Sequence, residues 1–561
     1  LSRLPEVLAR WQIPEEDLQT FHELLWKHTI RWDPDTPPDM VELEGFQAVL
    51  LQLLHRVRDK YDLQMGRGHF VMLNAKQLED EYEVNLRRGM VGACLRVQHR
   101  VSKVKRICKK IRKEDNHVPK EEMVLELNTL KHLDHPNIIR LYEWFEAEDA
   151  VLLVMETARG GDLAQLLACV KNKSRRAGLK EALVQDITAQ AMRALSYIHA
   201  QRVVHCDVKP ANMLLASGDL ENPRLLLADF GIAELFEDTE HMQSVALVKG
   251  TLRYLPPEVF SNRVGPRSDV WSLGIVAYEM LSGRLPFVAD SLMTMYTCLK
   301  STVVELGPVS EAGASGAAVA CTRWLLMKEV ADRPSAAEAL GDPWLAGTPS
   351  TGPLSAEHGT LSALAAYARL SHFSKVALNC AASQIDASRA EGPTRVFEAL
   401  DVNHQGKIDT SDLSAGLAEL GMDNAEHVAD MLDINGDGTI QYTEFLASLL
   451  TQHGQLKEDV LYHAFCVFDI DDDGLISLGD LQQVLSRSES IHDALPDGRT
   501  VETVLAEVGT SGSGSISFPE FRSYVLSEAE GAEQGAGAAR TPQAGADELP
   551  PDAGTAAAGV R

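Results

Sequence analysis

Three absences limit what this sequence can encode. No run of about eighteen or more apolar residues occurs, so no segment is predicted to span a membrane. The eight cysteines show no CxxC spacing, which argues against a zinc site or a disulfide framework and predicts a reduced, cytoplasmic protein. Positive charge is scarce: the formal net charge of −28 argues against nucleic acid as a partner.

Two features of the N-terminal part bear on these exclusions. The chain begins at Leu1 without an initiator methionine, so lipid anchoring is left open. The basic stretch 96–113 resembles a nucleic-acid patch, but a solvated face of strands explains it better because the stretch lies in a strand-like region.

Composition and periodicity divide the 561 residues into several domains. The apolar content of 45% is ordinary for globular domains. The predicted segments are a helical extension (1–79), an α+β two-lobed domain (80–345), a linker with an amphipathic helix (346–390), an all-α domain of four helix–loop–helix units (391–526) and a disordered tail (527–561).

Several short motifs lie at a characteristic spacing within residues 80–345. Asp229-Phe230-Gly231 follows an apolar run, and residues 205–212 upstream read His-Cys-Asp-Val-Lys-Pro-Ala-Asn. Leu-Pro-Pro-Glu at 255–258 and Asp-Val-Trp-Ser-Leu-Gly at 269–274 follow. Together these motifs resemble those of eukaryotic protein kinases. The resemblance implies a bilobal α+β kinase fold that uses ATP and Mg²⁺ and phosphorylates protein substrates.

The resemblance implies a role for each polar residue of these motifs. Asp207 would accept a hydrogen bond from the substrate hydroxyl and orient it, and Lys209 would neutralise charge on the γ-phosphate. Asn212 and Asp229 would hold two Mg²⁺ ions through oxygen atoms. Phosphoryl transfer depends on such positioning and charge neutralisation more than on covalent chemistry.

The resemblance also assigns nucleotide-binding residues. Lys109 would grip the α and β phosphates and Glu126 would pair with it. Lys110 should point to the opposite strand face. Met155 would be the gatekeeper, and Glu156 would open the hinge that accepts adenine.

The glycine-rich loop departs from the kinase pattern. Gly89 and Gly92 match its second and third glycines, so backbone amides can still approach the phosphates, but Arg87 replaces the first glycine. This departure motivates an alternative reading, a catalytically weak, calcium-responsive scaffold (a pseudokinase). All charged catalytic positions are filled, which favours an active enzyme.

Other positions bear on regulation and specificity. Cys206 replaces the arginine that pairs with a phosphorylated activation loop in many kinases, so activation should depend on something else. Asp162 could help hold the nucleotide or a substrate arginine, and Thr251 matches a threonine of serine/threonine kinases. Glu258 and Arg333 would form a buried structural ion pair.

Calcium-ligand spacing recurs in the segment 391–526. An EF-hand loop needs oxygen ligands at positions 1, 3, 5, 7, 9 and 12 and glycine at position 6. The second loop meets the pattern with Asp433, Asn435, Asp437, the backbone of Thr439, and Glu444. The third offers Asp469, Asp471, Asp473, the backbone of Leu475, and Asp480. The first offers Asp401, Asn403, Gln405, the backbone of Lys407, and Asp412.

The remaining loop patterns are weaker. Loops one and three end in aspartate, whose shorter side chain predicts lower calcium affinity or more Mg²⁺ character. The fourth loop (509–520) has serines and a single carboxylate, Glu520, which predicts a structural role beside loop three. A vestigial EF-hand near Asp33 and Asp35 is disfavoured by two following prolines.

An apolar helix is predicted from about 355 to 385, between the two domains. The simpler interpretation is that this helix packs onto the EF-hands. The alternative is an inhibitory junction that blocks the kinase until calcium-loaded lobes capture it. The order of kinase, junction and four EF-hands resembles the calcium-dependent protein kinases of plants and protists over residues 80–526. The resemblance implies a serine/threonine kinase activated by Ca²⁺.

Overall fold

The computed structural model describes residues 70–538 with internal gaps. These gaps are residues 75, 85–93, 113–126, 128, 174–177, 231–233, 236–251, 262, 302, 347–357, 420, 423, 451–455, 486–499 and 512. Predictions for Arg87, Gly89, Gly92, Glu126 and Thr251, and for the possible loop near Asp33, therefore lie outside the described residues.

A six-stranded sheet forms the smaller lobe. Its strands are β1 (Met72–Asn74), β2 (Tyr82–Val84), β3 (Cys94–His99), β4 (Lys105–Arg112), β5 (Leu141–Glu146) and β6 (Ala150–Met155). They lie in the order β1-β5-β6-β4-β3-β2, and a short helix α1 (Leu78–Glu81) precedes β2. Side chains alternate between the faces of β4, so Arg106 and Cys108 are buried on one face and Lys109 lies on the other.

The helical extension predicted for residues 1–79 is wrong over β1. Met72–Asn74 pairs in parallel with Glu143–Phe145 of β5 and thereby extends the sheet by one strand. Phe70 and Val71 are buried just before it. A strand of three residues is too short to show the alternation of apolar and polar side chains that indicates a β-strand in a sequence. The long-range pairing with β5 determines its conformation.

The larger lobe is mainly helical. Its helices are α2 (Leu163–Lys173), α3 (Glu181–Ala200), α4 (Pro266–Ser282), α5 (Leu292–Ser301), α6 (Gly307–Glu311), α7 (Gly316–Leu325), α8 (Ala336–Leu340) and α9 (Pro343–Ala346). Five short strands form two small sheets, of order β10-β9-β7 and β11-β8: β7 (Gly161–Asp162), β8 (Val203–Val204), β9 (Met213–Leu215), β10 (Leu225–Leu227) and β11 (Glu234–Leu235). Helix α4 is buried on every side and ends at Gly283, whose φ of 70° is readily adopted by glycine. The predicted bilobal α+β kinase fold is confirmed.

A buried ion pair joins two distant parts of the larger lobe. The Arg333 guanidinium donates to both carboxylate oxygens of Glu258, at 2.6 and 3.0 Å, and Arg333 is fully buried. Ser268 donates a further hydrogen bond of 2.8 Å to Glu258. The Arg333 guanidinium carbon also lies 5.0 Å from the centre of the Trp271 ring. These contacts fix the segment before α4 against the one before α8.

Replacing Arg333 with methionine should destabilise the larger lobe. The variant leaves the Glu258 carboxylate buried without its cation, which typically costs about 3–5 kcal/mol. Urea unfolding of the full chain measures the loss, with Arg323→Met, a change of an exposed arginine on α7, as the control. Adding Glu258→Gln to Arg333→Met should restore part of the stability. Equal unfolding midpoints for wild type and Arg333→Met would contradict this expectation.

Two helices replace the single helix predicted between the domains. Helix α10 (His358–Ala368) ends before Arg369, and α11 (His372–Ser383) begins after Ser371. The Ser371 hydroxyl accepts a hydrogen bond of 3.2 Å from the Ser374 amide, so it caps α11. Ser371 also donates to Glu528 at 2.6 Å. Every residue of α11 is buried, and α10 and α11 form part of the hydrophobic core of the EF-hand domain.

Four helix–loop–helix units form the C-terminal all-α domain. Their helices are α12 (Glu391–Leu400), α13 (Thr410–Glu419), α14 (Ala425–Leu432), α15 (Tyr442–Leu449), α16 (Glu458–Phe468), α17 (Leu478–Leu485), α18 (Val501–Val508) and α19 (Phe518–Ala538). Short strands pair the loops: β12 (Lys407–Asp409) with β13 (Thr439–Gln441), and β14 (Leu475–Ile476) with β15 (Ile516–Ser517). Loops one and two therefore form one pair, and loops three and four form the other.

The disordered tail predicted from residue 527 is wrong for its first part. Helix α19 continues to Ala538, and Ala529 is buried at 4% exposure. Contacts with the junction stabilise this end of the helix, since Glu528 accepts the hydrogen bond from Ser371. Residues 539–561 lie outside the described part of the chain. Within that part, no helix combines the length and apolar character that crossing a membrane requires.

Candidate active site and calcium-binding loops

The catalytic loop brings three of the predicted residues together. Lys209 donates from Nζ to Asp207 Oδ2 at 2.5 Å, and Asn212 donates from Nδ2 to the same oxygen at 3.0 Å. A second bond of 2.9 Å joins Asn212 Nδ2 to the Asp207 carbonyl. Because Nδ2 is the donor in both bonds, the amide oxygen of Asn212 is the atom that can bind a metal ion.

Asp269 fixes the backbone of the catalytic loop (residues 205–212), a role that was not predicted from the sequence. Its carboxylate accepts hydrogen bonds from the backbone amides of His205 and Cys206, at 2.8 and 2.9 Å. Cys206 adopts a φ of 65°, an uncommon conformation for a residue with a side chain. A signal for this role was present in the sequence, because Asp269 begins the otherwise uncharged motif Asp-Val-Trp-Ser-Leu-Gly. A buried aspartate needs hydrogen-bond donors.

Asp229 faces the catalytic loop from the end of β10. Lys109 on β4 donates to Asp229 Oδ1 at 2.9 Å, which links the two lobes across the cleft. Burial raises the pKa of Asp229, but the ion pair with Lys109 outweighs burial, so the pKa lies below its usual value. Lys110 points elsewhere and pairs with Asp149 at 2.8 Å, consistent with the expected alternation along the strand.

The donor set at this cleft fits Mg²⁺ and ATP. Mg²⁺ prefers oxygen ligands, and the Asp229 carboxylate and the Asn212 amide oxygen supply them on adjacent segments. The backbone amide of Ala228 donates to the Asn212 carbonyl at 2.9 Å, which fixes these segments side by side. Lys109 and Lys209 supply positive charge for phosphate oxygens.

The predicted hinge residues have other partners in the structure. Met155 is buried at the end of β6. The carboxylate of Glu156 is buried and accepts hydrogen bonds from the backbone amides of Arg140 and Ala387, at 2.9 and 3.1 Å. Its side chain therefore joins the hinge to the linker, which leaves only backbone atoms of this residue for adenine. Asp162 accepts bonds from Gln165 Nε2 and the Gln165 amide, so it caps α2.

The second EF-hand loop has the turn of a cation site. Asp433 accepts hydrogen bonds from the amides of Asp437 and Gly438, at 3.2 and 2.8 Å. Asn435 also accepts from the Asp437 amide, at 3.0 Å, and Asp437 accepts from the Thr439 amide at 2.7 Å. These bonds close the turn that carries loop positions 1, 3, 5 and 7.

Glu444, at position 12 of that loop, carries an unpartnered atom. Its Oε2 accepts from the Gln441 amide at 2.8 Å, whereas Oε1 is buried without a hydrogen-bond partner. Burial raises the pKa of Glu444 well above its usual value. A buried carboxylate oxygen without a donor is costly, and a bidentate calcium ion would satisfy it. The second loop therefore fits Ca²⁺.

The third loop gathers three carboxylates. Ligand oxygens of Asp469, Asp471 and Asp473 lie within 4.8 Å of one another, which fits a divalent cation. The amide of Leu475 donates to Asp473 at 2.8 Å. Asp480, at position 12, instead accepts from the Ser477 amide and hydroxyl, at 2.8 and 2.6 Å, and so caps α17.

In the first loop, hydrogen bonds hold the side chain at position 1 in place. Asp401 accepts hydrogen bonds from the amides of Gln405 and Gly406, at 3.0 and 2.8 Å. Burial raises the pKa of Asp401 to about 6. Asn403 accepts from the Gln405 amide at 3.2 Å, and Asp412 is exposed at position 12. Lys407 offers its backbone from β12.

The fourth loop is closed by its own hydrogen bonds. Glu520 accepts from the Ser511 and Ser517 amides, at 2.8 and 2.9 Å, and hydrogen bonds from Ser517 and Ser511 lower its pKa to about 2. A side chain at Gly509, the first position, would lie 2.8 Å from the Leu505 carbonyl oxygen. This geometry agrees with a structural role for the loop.

Comparisons with known proteins agree with this architecture. Residues 81–345 match the protein kinase domain, and residues 394–450 and 458–526 each match the EF-hand domain pair. Calcium-dependent protein kinase 34 of Arabidopsis thaliana is 28% identical over 495 residues, covering 87% of this chain and 88% of that protein. Calcium-dependent protein kinase 3 of Plasmodium berghei is 28% identical over 472 residues, covering 82% and 83%. Along residues 81–526 this chain is therefore similar to the calcium-dependent protein kinases, with a protein kinase domain followed by two EF-hand pairs.

Proposed function

We propose that this protein is a calcium-activated serine/threonine kinase that transfers the γ-phosphate of ATP to protein substrates. The observation that carries the proposal is the convergence of Asp207, Lys209, Asn212 and Asp229 in one cleft. The matching families and the relatives' names support the same activity. ATP and Mg²⁺ are the expected cosubstrate and cofactor, and Ca²⁺ is the expected regulator.

Each polar residue of the cleft has a task in this proposal. Asp207 orients the substrate hydroxyl and accepts its proton, while Lys209 neutralises charge that develops on the transferred group. Asn212 and Asp229 hold Mg²⁺ through oxygen atoms. Lys109 contacts the nucleotide phosphates, and its ion pair with Asp229 links the two lobes. Gly89, Gly92 and Glu126 complete the proposed nucleotide site.

The position of the junction supports capture by the EF-hands. Phe373 of α11 packs against Phe468 of the third EF-hand and Phe521 of the fourth, with ring centres 5.5 and 6.0 Å apart. Lys375 contacts Met431 of the second EF-hand at 3.4 Å. Both EF-hand pairs therefore enclose the same helix, as the proposed active state requires.

The linker after the junction contacts the kinase away from the nucleotide. Arg106 donates to Asp386 at 2.6 Å and to the Gln384 carbonyl at 3.1 Å. Arg106 and Lys109 lie on opposite faces of β4, so this contact is on the face that does not line the cleft. We infer that the junction blocks the cleft at rest and moves to this position with calcium.

Calcium must then supply the free energy of the shift. Moving from about 1% to 99% active requires a differential binding free energy of roughly 5.5 kcal/mol. Loops two and three, with loop one in support, are the proposed source. The scaffold alternative is not favoured, because the charged residues of the described catalytic loop converge in the cleft. None of the eight cysteines, all of which lie in the described part of the chain, forms a disulfide, which supports the proposed cytoplasmic location.

A phosphorylation assay on a mixed peptide library tests this function. With Mg²⁺, ATP and calcium, the full chain should produce phosphoserine and phosphothreonine, and EGTA should suppress both. Products are identified by mass spectrometry. Phosphotyrosine as the main product would contradict the specificity. Transfer that is absent under both conditions would favour the scaffold.

A further inference from the structure

A carboxylate of the kinase domain caps a helix of the second EF-hand. Asp134 lies directly before the His135-Pro136-Asn137 segment and is buried at 4% exposure. Its Oδ2 accepts a hydrogen bond of 2.7 Å from the Thr443 amide, and its Oδ1 accepts one of 2.8 Å from the Thr443 hydroxyl. Two short bonds to one carboxylate join the kinase domain to the EF-hand domain, through residues that are 309 positions apart in the chain.

Thr443 lies beside a proposed calcium ligand, at the start of a helix. It is position 11 of the second loop, next to Glu444, whose Oε1 is buried and unpartnered. It is also the second residue of α15, where backbone amides have no carbonyl partner within the helix. A negative charge is favourable at this end of a helix. Asp134 thus gives the Thr443 amide an acceptor from outside the EF-hand, in addition to the hydrogen bond that Glu444 accepts from the Gln441 amide.

The surroundings of Asp134 hold its carboxylate in place. Its amide donates to the Tyr197 hydroxyl at 2.9 Å. Arg140 Nη2 lies 3.8 Å from Asp134 Oδ1, and the Arg140 guanidinium carbon lies 5.0 Å from the centre of the Tyr442 ring. The kinase domain therefore contacts loop positions 10 and 11 with the buried side chains of Arg140 and Asp134.

We propose that Asp134 is a positioning residue that couples ion capture at the second loop to docking of the EF-hand domain on the kinase. The inference rests on the proposed calcium activation, because it names the contact through which that activation acts. Calcium binding at Glu444 reorients the helix that follows the loop, and Asp134 binds the start of that helix in the docked arrangement. Docking and calcium binding then strengthen each other by the same factor.

Calcium titration of the full chain tests this coupling without relying on activity. In Asp134→Asn, one oxygen acceptor and the negative charge are lost. The calcium concentration that half-saturates loop two should rise about tenfold, the loss expected for a charged hydrogen bond. Calorimetry with calcium chloride measures it, and Glu444→Gln identifies which component of the isotherm belongs to loop two. Half-maximal activation should shift in the same direction, and saturating calcium should restore turnover.

Thr443→Val provides a second approach from the other domain. It removes the hydroxyl and keeps the shape, so a smaller shift in the half-saturating calcium concentration is expected. This variant keeps the proposal testable if Asp134→Asn fails to fold. The double variant should lose less than the two single losses combined, because both changes remove the same contact. Asp290→Asn, which changes an exposed aspartate of the larger lobe, is the control and should match wild type.

The outcomes separate this inference from the proposed function. An Asp134→Asn protein with the wild-type circular dichroism spectrum and the wild-type calcium isotherm would overturn the coupling. Additive losses in the double variant would overturn it as well. If the wild-type enzyme shows no calcium-dependent turnover, the proposed function fails, and the calcium isotherms alone still decide whether Asp134 is coupled to loop two.

Discussion

Asp207→Asn should lower the turnover number at saturating calcium by about 10³-fold, within the range of 10²–10⁴ associated with a general base. Asparagine keeps the shape of aspartate, but its amide cannot take the proton of a substrate hydroxyl. The same atom, Oδ2, accepts the hydrogen bonds from Lys209 and Asn212, so the substitution also changes how these two groups are held. Initial-rate measurement with a peptide substrate gives the ratio.

Two measurements make this result specific. Asp219→Asn changes an exposed aspartate whose carboxylate accepts hydrogen bonds from the nearby amides of Glu221 and Asn222, and it should keep wild-type turnover. Calcium binding to Asp207→Asn should equal that of wild type, because the EF-hand loops are untouched. Transfer by Asp207→Asn at the wild-type rate would mean that another site, or a contaminating enzyme, performs the reaction.

Glu444→Gln should remove calcium binding from the second loop. An amide cannot act as a bidentate carboxylate, and changes in outer-shell partners alone cost roughly 10–100-fold in metal affinity. We therefore expect at least about a 100-fold loss for this direct ligand, and a matching rise in the calcium needed for activation. Calorimetry and activity titration measure the two effects.

The uncharged variant has a second expected property. Glu444 is buried with one oxygen unpartnered, so its ionised form is costly when no calcium is bound. In EGTA, Glu444→Gln should unfold at a temperature no lower than that of wild type. Glu426→Gln, an exposed change on α14, serves as the control for both measurements. Wild-type calcium affinity in Glu444→Gln would exclude loop two as a calcium site.

Residues that lie in short, rigid motifs could be placed from the sequence. Asp207 and Asn212 are five positions apart, and a single turn brings their side chains together. The EF-hand loops behave similarly, since glycine at position 6 and the aspartate at position 1 define one local turn, as Asp433 and Gly438 show. Local geometry alone determines these arrangements, so the spacing of the residues is sufficient.

Features that depend on distant partners could not be predicted in this way. The linker contact joins Arg106 to Asp386 across 280 positions, and the cap on Thr443 comes from Asp134. The hinge motif also did not indicate that the Glu156 carboxylate accepts hydrogen bonds from the amides of Arg140 and Ala387. The break between α10 and α11 does have a local signal, the serine cap at Ser371. It was missed because apolar residues continue at helical spacing on both sides of it.

The most direct test of the whole account follows calcium binding and turnover in the same sample of the full chain. Free calcium is varied with a chelator buffer while bound calcium and peptide phosphorylation are both recorded. Turnover should rise as loops two and three fill, and it should be low in EGTA. Equal turnover in EGTA and in saturating calcium, with the loops filling normally, would contradict it.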